Sequence, residues 1–253
     1  MFADLKGKRV LVTGASSGLG AHFTRVLAAQ GAHVVAAARR MERLEALADS
    51  CAELPGKVVP LALDVGSVAA IAAGLSAARD ALGGLDILVN NAGIAEPARA
   101  LDLGEADWDA HLDVNLKGCF FAAQAAARIM AGQEGGGAIV NIASILGERV
   151  AASVAPYAVS KAGLIQMTKA LALEWARHKI RVNALAPGYI VTDLNRDFFA
   201  SDDGKSLLRR IPMRRAGKLE DLDGPFLLLC SEASRYMSGA VIAVDGGHLV
   251  SGL

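Results

Sequence analysis

The stretch at residues 10–20, VLVTGASSGLG, passes from an apolar run into a turn that holds three glycines, Gly14, Gly18 and Gly20. The apolar run predicts a buried strand, and the residues from 18 onward have the apolar spacing of a helix. A strand that leads through a glycine-rich turn into a helix is the beginning of a βαβ unit. The stretch therefore predicts an α/β fold.

Composition agrees with a globular protein of this class. The 253 residues are 53% hydrophobic and 21% charged, enough to bury a substantial core. The 26 basic and 26 acidic residues cancel. The whole chain therefore offers no net charge that would attract nucleic acid or an anionic membrane, and a small-molecule partner is expected.

The apolar runs and the cysteines indicate in which cellular compartment the protein is expected. No apolar run approaches the roughly 18 residues of a membrane span, and the glycine turn occupies the place of a signal peptide's apolar segment. Cys51, Cys119 and Cys230 lie far apart and form no metal-binding or disulfide pattern. We therefore expect a cytoplasmic protein with reduced, buried thiols and no metal.

Strand-like and helix-like segments alternate along the chain as in repeated βαβ units. The predicted strands lie near 8–13, 33–38, 57–63, 86–90, 137–143, 180–186 and 240–244. The predicted helices lie near 18–30, 41–53, 67–82, 105–131, 156–178 and 219–230. Strands that are apolar on both faces indicate a parallel sheet covered by helices on each side, a Rossmann-like doubly wound fold with seven strands.

No linker or repeat interrupts this alternation, so we expect a single domain over 1–253. One connection is unusually long. Residues 189–218 join a strand to a helix and carry apolar side chains, namely Phe198, Phe199, Leu207, Leu208 and Met213. Because ligands bind at the carboxyl ends of parallel strands, this segment is predicted to be a substrate lid.

The glycine turn has the context of a dinucleotide site. Gly14 permits the tight turn, Gly18 lets the backbone approach a pyrophosphate, and Gly20 lets the helix close on the strand. The free N–H groups at the helix start favour phosphate. The alternative is an ordinary flexible loop, since the spacing is G-x-x-x-G-x-G rather than G-x-G-x-x-G.

Further motifs extend over the whole chain: Thr13 before the glycine turn, NNAG at 90–93, Asn115 in VNLKG, Ser144 in IVNIAS, Tyr157 and Lys161 in YAVSK, LAPGYIVT at 185–192, and VDGG at 244–247. Together with the glycine turn, these motifs resemble those of the short-chain dehydrogenase/reductase family. The resemblance implies a nicotinamide-dependent oxidoreductase that transfers a hydride between an alcohol and a carbonyl group.

Tyr157 and Lys161 are four residues apart and share one helix face. A nearby ammonium favours the phenolate form, so Tyr157 is the candidate general acid and base. Ser144 can hydrogen-bond the substrate oxygen, and the resemblance implies that Asn115 holds a water in a proton relay. The alternatives are a surface aromatic over a lysine stem for the pair, and a cap or helix-start residue for Ser144 and Asn115.

The end of the second predicted strand bears on cofactor choice. Ala38 stands where an acid would bind the ribose of NAD(H), and Arg39 and Arg40 can bind a 2′-phosphate, so NADP(H) is preferred and NAD(H) remains possible. The alternative is a pair of solvated arginines at a helix start.

By resemblance, Asp64 contacts the adenine, although it could instead cap the next helix. The resemblance also implies that the Thr192 hydroxyl contacts the nicotinamide carboxamide, and the alternative is that Thr192 caps a helix of the lid. The cofactor-binding candidates are Gly14, Ser16, Ser17, Gly18, Leu19, Gly20, Arg39, Arg40, Asp64, Val65, Asn91, Ala92, Gly93, Tyr157, Lys161, Pro187, Gly188, Ile190 and Thr192.

An apolar pocket favours a ketone and its secondary alcohol as the substrate. The substrate-binding candidates are Ser144, Ile145, Leu146, Val154, Tyr157, Tyr189 and Phe198, with Val150 as a further lining residue. The alternatives are a 3-oxoacyl thioester on acyl carrier protein or coenzyme A and a sugar or polyol oxidised with NAD. A noncatalytic nucleotide-binding regulator would have lost Ser144, Tyr157 or Lys161, and all three are present. The lid arginines, Arg209, Arg210, Arg214 and Arg215, either contact an anionic substrate group or form a solvated face.

The predicted helices 105–131 and 156–178 are apolar on more than one face, which requires a second burial partner. Family members pair these helices across a dimer and use the last strand in a second interface. The resemblance therefore implies a homotetramer, with Trp108 and Trp175 in the core or in an interface.

Overall fold

The computed structural model describes residues 2–192 and 195–251. Seven parallel strands form one sheet in the order β3-β2-β1-β4-β5-β6-β7. They are β1 (Arg9–Thr13), β2 (His33–Ala38), β3 (Val58–Ala62), β4 (Ile87–Asn90), β5 (Gly137–Ile142), β6 (Ile180–Pro187) and β7 (Val241–Val244). The α-helices are α1 (Gly18–Ala29), α2 (Met41–Ser50), α3 (Val68–Leu82), α4 (Glu105–Leu112), α5 (Gly118–Ala131), α6 (Ala155–Trp175), α7 (Arg196–Ala200), α8 (Asp202–Leu208) and α9 (Asp223–Cys230). The predicted doubly wound, seven-stranded parallel sheet is confirmed.

Strand β1 lies at the centre and fixes the position of the cleft. Its Val10 is paired with Val34 of β2 on one side and with Ile87 of β4 on the other. The strand order reverses between β1 and β4, and in open α/β sheets the loops at such a reversal separate and leave a crevice. The carboxyl ends of β1 and β4 therefore define the position of the candidate site.

Helices cover both faces of the sheet. Alternate residues of β1 point to opposite sides, so that Val10 and Val12 join one cluster and Leu11 joins the other. The first cluster is built by α1, α2 and α9, in which Phe23 and Phe226 stack with ring centroids 4.0 Å apart. The second cluster is built by α3, α5 and α6. The outer strands β3 and β7 are partly exposed along most of their length.

The predicted helix at 105–131 is interrupted. Helix α4 ends at Leu112, residues Asp113–Lys117 form a π-helical turn, and α5 begins at Gly118. A Cβ on Gly118 would lie 2.4 Å from the carbonyl oxygen of Val65, so only glycine fits this approach. The predicted helix at 219–230 is likewise two elements, a 3₁₀ turn at Leu219–Leu222 and then α9.

The long connection at 189–218 contains helices that the sequence analysis did not predict. Helices α7 and α8 are separated by Ser201, whose hydroxyl caps α8 by accepting a hydrogen bond from the Gly204 N–H at 3.2 Å. Residues 193–194 of the predicted lid, and residues 1, 252 and 253 of the predicted domain, lie outside the described residues.

The cysteines and tryptophans lie at different depths. All three cysteines are free and buried. Trp175 packs against the second cluster, whereas Trp108 on α4 is 38% exposed.

Across 2–192 and 195–251, no helix combines the length and apolar character that crossing a bilayer requires. The same residues contain no group of three or more histidine, cysteine or acidic side chains that could hold a metal ion.

Candidate functional site

The glycine turn after β1 is joined to the NNAG segment after β4 by hydrogen bonds. The Thr13 hydroxyl accepts hydrogen bonds from the backbone N–H groups of Asn91 and Ala92, both at 3.1 Å. The Asn91 side-chain amide donates in return to the carbonyl oxygens of Thr13 (2.9 Å) and Gly14 (3.2 Å). These contacts hold the two loops side by side at the carboxyl edge of the sheet.

The three glycines of the turn are required for different physical reasons. Gly14 has a φ of +67°, and a Cβ there would lie 2.7 Å from the Cα of Ala92. A Cβ on Gly20 would lie 2.3 Å from the carbonyl oxygen of Gly14, so this glycine allows α1 to pack on the turn. Gly18 has a φ of +52° and meets only the Thr192 side chain, at 3.9 Å. Gly18 therefore leaves an open surface between the turn and the segment after β6.

The N-terminus of α1 is left available beside this surface. Ser17 is the N-cap residue, but its hydroxyl makes no capping hydrogen bond. The hydroxyls of Ser16 and Ser17 instead accept hydrogen bonds from the Arg40 guanidinium at 2.8 to 3.2 Å. Uncapped N–H groups, two hydroxyls and a guanidinium at one helix start are donors suited to phosphate oxygens.

The ends of β2 and β3 form the next part of the same wall. Strand β2 ends at Ala38, and the exposed Arg39 and Arg40 follow it. Asp64, after β3, accepts a hydrogen bond from the Gly66 N–H at 2.9 Å, while Ser67 caps α3 by accepting from the Ala70 N–H at 3.3 Å. Asp64 is thus not the helix cap, and its carboxylate lies in a turn that lines the cleft.

Asn115 lies inside the π-helical turn and is fully buried. Its side-chain oxygen accepts a hydrogen bond from the Ile94 N–H at 2.8 Å, and its nitrogen donates to the Ile94 carbonyl (2.9 Å) and the Ser160 hydroxyl (3.1 Å). The position of a Cβ on Gly93 would be 3.2 Å from the Asn115 oxygen. Asn115 therefore fixes the Ile94 backbone through hydrogen bonds and does not itself line the cleft.

Ser144, Tyr157 and Lys161 all line the cleft. Ser144 follows β5, and its hydroxyl accepts a hydrogen bond from the Leu146 N–H at 3.1 Å, capping a 3₁₀ turn at Ile145–Gly147. The capping role of Ser144 is compatible with its position in the cleft, because a hydroxyl that accepts one hydrogen bond can still donate another.

Helix α6 positions the tyrosine and the lysine. The Lys161 ammonium is buried, donates to the Ile142 carbonyl at 2.7 Å and lies 5.6 Å from the centroid of the Tyr157 ring. The Ser160 hydroxyl donates to the Tyr157 carbonyl at 2.7 Å and accepts from Asn115, which ties this turn of α6 to the π-helical turn. The Lys161 ammonium therefore lies beside the Tyr157 ring in the same cleft that Ser144 lines.

The cleft has a volume of about 960 Å³ and extends from the glycine turn to α7. It is lined by every predicted site residue except Gly20, which is buried under the turn, and Asn115. Val150 is a predicted lining residue, but it is 85% exposed and lies outside, as do Leu207, Leu208 and Met213. Lining residues that the sequence analysis did not assign are Ala38, Leu63, Ile94, Ala95, Pro97, Val114, Ile142, Ala143, Ala151, Ala152, Asn195 and Phe199.

The segment after β6 forms the opposite wall. The Thr192 N–H donates to the side-chain oxygen of Asn195 at 2.7 Å, and Asn195, not Thr192, precedes α7 as its N-cap residue. The Tyr189 ring contacts Phe199 edge-on, with centroids 6.4 Å apart. Its other neighbour is His248, with ring centroids 5.7 Å apart. The sequence analysis missed His248, since nothing in VDGGH indicates that the chain end folds back to β6.

Titration behaviour differs across the site. Burial raises the pKa of the Cys119 thiol to about 11, and the nearby Lys161 charge only partly offsets this, so Cys119 stays a neutral thiol. Burial also raises the pKa of the Tyr189 phenol, although the charges of Arg149 and Arg210 act in the opposite direction. Burial lowers the pKa of His248, and Arg149 lowers it further. Tyr189 is therefore a neutral donor at neutral pH, and His248 an uncharged imidazole.

Known proteins resemble this chain over nearly its whole length. A family model described as enoyl-(acyl carrier protein) reductase matches residues 14–248. The 2-dehydro-3-deoxy-D-gluconate 5-dehydrogenase of Escherichia coli K12 is 41% identical, covering 97% of both chains. The 3-oxoacyl-[acyl-carrier-protein] reductase of Thermotoga maritima is also 41% identical, covering 97% of this chain and 99% of its own.

Solved structures agree with these matches. A putative short-chain alcohol dehydrogenase from Sinorhizobium meliloti is 47% identical with a TM-score of 0.94, covering 99% of this chain and 100% of its own. A putative 2-deoxy-D-gluconate 3-dehydrogenase from Agrobacterium tumefaciens, solved with bound NADP, is 41% identical with a TM-score of 0.87, covering 97% of both chains.

Proposed function

Because this chain belongs to the short-chain dehydrogenase/reductase family and is an oxidoreductase acting on CH–OH or C=O groups, we propose that it interconverts a ketone and a secondary alcohol with NADP(H). One observation carries the proposal. Ser144, Tyr157 and Lys161 line the same cleft as the glycine turn, so a substrate carbonyl and a dinucleotide can meet there. Placement of this kind is the protein's main contribution to hydride transfer.

Tyr157 is the general acid in carbonyl reduction and the general base in alcohol oxidation. Tyr157 and Ser144 line the same cleft, and their hydroxyls are the donors that we assign to the substrate oxygen. Lys161 has three ammonium donors, of which one is used by the Ile142 carbonyl. The remaining donors and the positive charge lie beside the tyrosine, where they stabilise the phenolate that remains after the proton leaves.

Asn115 acts through the backbone that it supports. Its hydrogen bonds fix Ile94, and the adjacent Gly93 backbone lies against the Lys161 ammonium, so that a Cβ on Gly93 would lie 3.6 Å from that nitrogen. A water between this backbone and the ammonium would carry the proton toward solvent, which is the role that the family resemblance implies.

The residues fit a dinucleotide phosphate. The open surface over Gly18, the uncapped start of α1 and Arg40 suit the pyrophosphate and a 2′-phosphate. Arg39 is a second, exposed cation at the end of β2, where no carboxylate stands to repel a 2′-phosphate. Asp64 and Val65 line the adenine end and Thr192 the nicotinamide end. When bound, NADP(H) supplies or accepts the hydride, and a related structure contains NADP.

Apolar side chains dominate the substrate end of the cleft. Ile145, Leu146 and Val154 approach from the Ser144 side, and Tyr189, Phe198 and Phe199 from the other. This lining favours a ketone with apolar substituents over a free sugar. The segment 189–218 acts as a substrate lid, because its aromatic residues Tyr189, Phe198 and Phe199 line the cleft. The lid belongs to a single domain that spans the chain.

The proposal also includes a homotetrameric assembly and a cytoplasmic location. The exposed apolar residues Trp108 and Val159 on α4 and α6, with the partly exposed edge strand β7, support a homotetramer. Free, buried thiols suit the reducing cytoplasm. Mass measurement in solution tests the tetramer directly, and a monomer at micromolar concentration would contradict it.

The test follows the absorbance of NADPH and NADH separately with apolar ketones, β-keto esters, 3-oxoacyl thioesters and sugars. We expect turnover of small ketones with NADPH. Tyr157→Phe should abolish turnover and leave NADPH affinity, measured by fluorescence, unchanged. Retained turnover would exclude Tyr157 as the acid, and turnover confined to thioesters or to sugars with NADH would replace the proposed substrate class.

A further inference from the structure

The stretch at 94–98 lines the cleft without belonging to a helix or a strand. Residues 91–99 have no regular secondary structure, and Ile94, Ala95 and Pro97 are cleft-lining residues. Such a stretch has no hydrogen-bond ladder of its own, so its shape depends on groups that bond to it from other elements. We call residues 94–98 the cleft segment.

The two ends of the cleft segment are anchored separately. At the first end, the Asn115 side chain bonds both backbone groups of Ile94. At the other end, the Ala98 N–H donates to the Ser153 carbonyl at 2.9 Å. The residues between these two ends need an anchor of their own if the lining is to keep one shape.

His111 supplies this middle anchor. It lies in the last turn of α4, is 1% exposed, and its Nε2 atom accepts a hydrogen bond from the Glu96 N–H at 3.1 Å. Among the described residues, His111 is the one that bonds the backbone between Ile94 and Ala98. The middle of the cleft segment therefore depends on one imidazole nitrogen.

The partners of His111 fix its tautomer and its orientation. Its Nδ1 atom lies 2.7 Å from the carbonyl oxygen of Asp107, which can only accept, so Nδ1 carries the ring proton. The Glu96 N–H can only donate, so Nε2 has the free lone pair. Both ring nitrogens are engaged, and the imidazole is held between α4 and the cleft segment.

The cleft segment lies beside the part of the chain that carries Tyr157. A Cβ on Gly93, directly before the segment, would lie 3.6 Å from the Lys161 ammonium nitrogen. The last residue of the segment, Ala98, bonds Ser153. Tyr157 lies between Ser153 and Lys161 in the sequence. A displacement of the cleft segment would therefore change the lining close to the proposed general acid.

We propose that His111 is a positioning residue for the reaction, which holds Glu96 and thereby keeps the cleft segment in the shape that places the substrate carbonyl at Tyr157. His111 does not line the cleft, so it acts through the backbone that it holds. The inference rests on the proposed function, because it serves the reaction assigned to Tyr157. A small misplacement of the reacting groups is enough to lower the rate of such a reaction.

The experiment compares two amides at position 111. In His111→Gln the amide lies about as far along the side chain as Nε2 and can still accept from Glu96, whereas in His111→Asn it reaches only about as far as Nδ1. We expect KM for the ketone to rise by about tenfold in His111→Asn, the size of one buried hydrogen bond left unmade, and to stay within about threefold in His111→Gln. NADPH affinity should be unchanged in both, because the Thr13 hydroxyl holds the backbone of Asn91 and Ala92.

Hydrogen–deuterium exchange tests the anchor without a substrate. A peptide that covers the cleft segment should exchange about tenfold faster in His111→Asn than in His111→Gln. His33→Ala is the matched control, because the His33 Nδ1 atom also accepts a backbone N–H, that of Lys57 at 3.3 Å. His33 is exposed at the start of β2 and lies outside the cleft, so its loss should change neither KM nor this exchange.

The outcomes separate this inference from the proposed function. Equal KM values in His111→Asn and His111→Gln, or unchanged exchange in His111→Asn, would overturn the positioning role and leave NADPH-dependent ketone reduction standing. If the wild type turns over no ketone, the proposed function fails, and the exchange rates alone decide whether His111 anchors the cleft segment.

A measurement on the wild type applies if both variants fail to fold. The ¹⁵N chemical shifts of labelled histidine report which ring nitrogen carries the proton. A proton on Nδ1 of His111 and none on Nε2 would support the anchor, and a proton on Nε2 would overturn it, because Nε2 could then not accept from Glu96.

Discussion

A series of glycine-to-alanine substitutions separates backbone strain from loss of the phosphate site. Gly7, Gly14 and Gly18 all have left-handed backbone, with φ of +75°, +67° and +52°. A Cβ on Gly7 would meet nothing within 4 Å, and one on Gly18 would meet only Thr192 at 3.9 Å. A Cβ on Gly14 would lie 2.7 and 2.9 Å from backbone atoms of Ala92, which must move to admit it.

The expected magnitudes follow from these contacts. Gly7→Ala and Gly18→Ala add only left-handed strain, about 1–2 kcal/mol. In a protein of this size that lowers Tm by roughly 2–8 °C. Gly14→Ala adds a backbone clash to the same strain, so its Tm should fall further. Gly18→Ala should also weaken NADPH binding by about tenfold or more, since its methyl group occupies the proposed path of the pyrophosphate. Gly7→Ala should not, because Gly7 lies outside the cleft.

Thermal unfolding and NADPH fluorescence titration measure the two quantities on the same samples. Gly7→Ala is the matched control, since it carries the strain without the site. Equal NADPH affinity in Gly7→Ala and Gly18→Ala would refute the pyrophosphate path over Gly18. Equal Tm values for Gly7→Ala and Gly14→Ala would show that the Ala92 backbone yields without cost, against the close packing described above.

Three further predictions use other contacts. Arg39→Asp should shift the ratio of kcat/KM values from NADPH toward NADH, because a carboxylate at the end of β2 repels a 2′-phosphate; an unchanged ratio would contradict this role. Burial acts to raise the pKa of Asp86, but its hydrogen bonds from Arg9 outweigh burial and hold it below the usual value. The pair should therefore stabilise the fold above pH about 4 and lose that effect as pH falls through the lowered pKa, so urea unfolding of wild type and Asp86→Asn should converge in acid. Asn115→Ala leaves the Ile94 N–H and carbonyl unpaired and should destabilise the fold by about 2–4 kcal/mol in the same assay, whereas a change below about 1 kcal/mol would mean that water replaces the amide.

Regular elements are predictable from the sequence because their signals are local. The predicted bounds of β2 are those observed, and most other elements agree within one or two residues, since apolar runs and glycine turns fix where parallel strands begin and end. Most of the predicted site residues also line one cleft, because most of the motifs follow strands whose carboxyl ends share an edge.

The remaining errors have physical causes. The π-helical turn at Asp113–Lys117 keeps helical composition, so periodicity alone indicates a continuous helix. Helix α8 did have a signal, since Ser201 before Asp202 and Asp203 is a good N-cap with acidic residues in the first turn. Val150 lies outside the cleft, and His248 packs against Tyr189. Both placements depend on how loops distant in sequence pack together, and no local sequence pattern specifies that packing.

The π-helical turn also predicts how this segment tolerates changes in length. Each residue of an α-helix advances the side-chain direction by about 100°, so the extra residue in the turn sets the facing of α5 relative to α4. With this arrangement Trp108 is partly exposed and Asn115 is fully buried. Removing one residue from Asp113–Lys117 would leave a regular helix with Asn115 rotated away from Ile94. Insertions and deletions of single residues should therefore be excluded from this turn, whereas substitutions on its exposed side should be accepted.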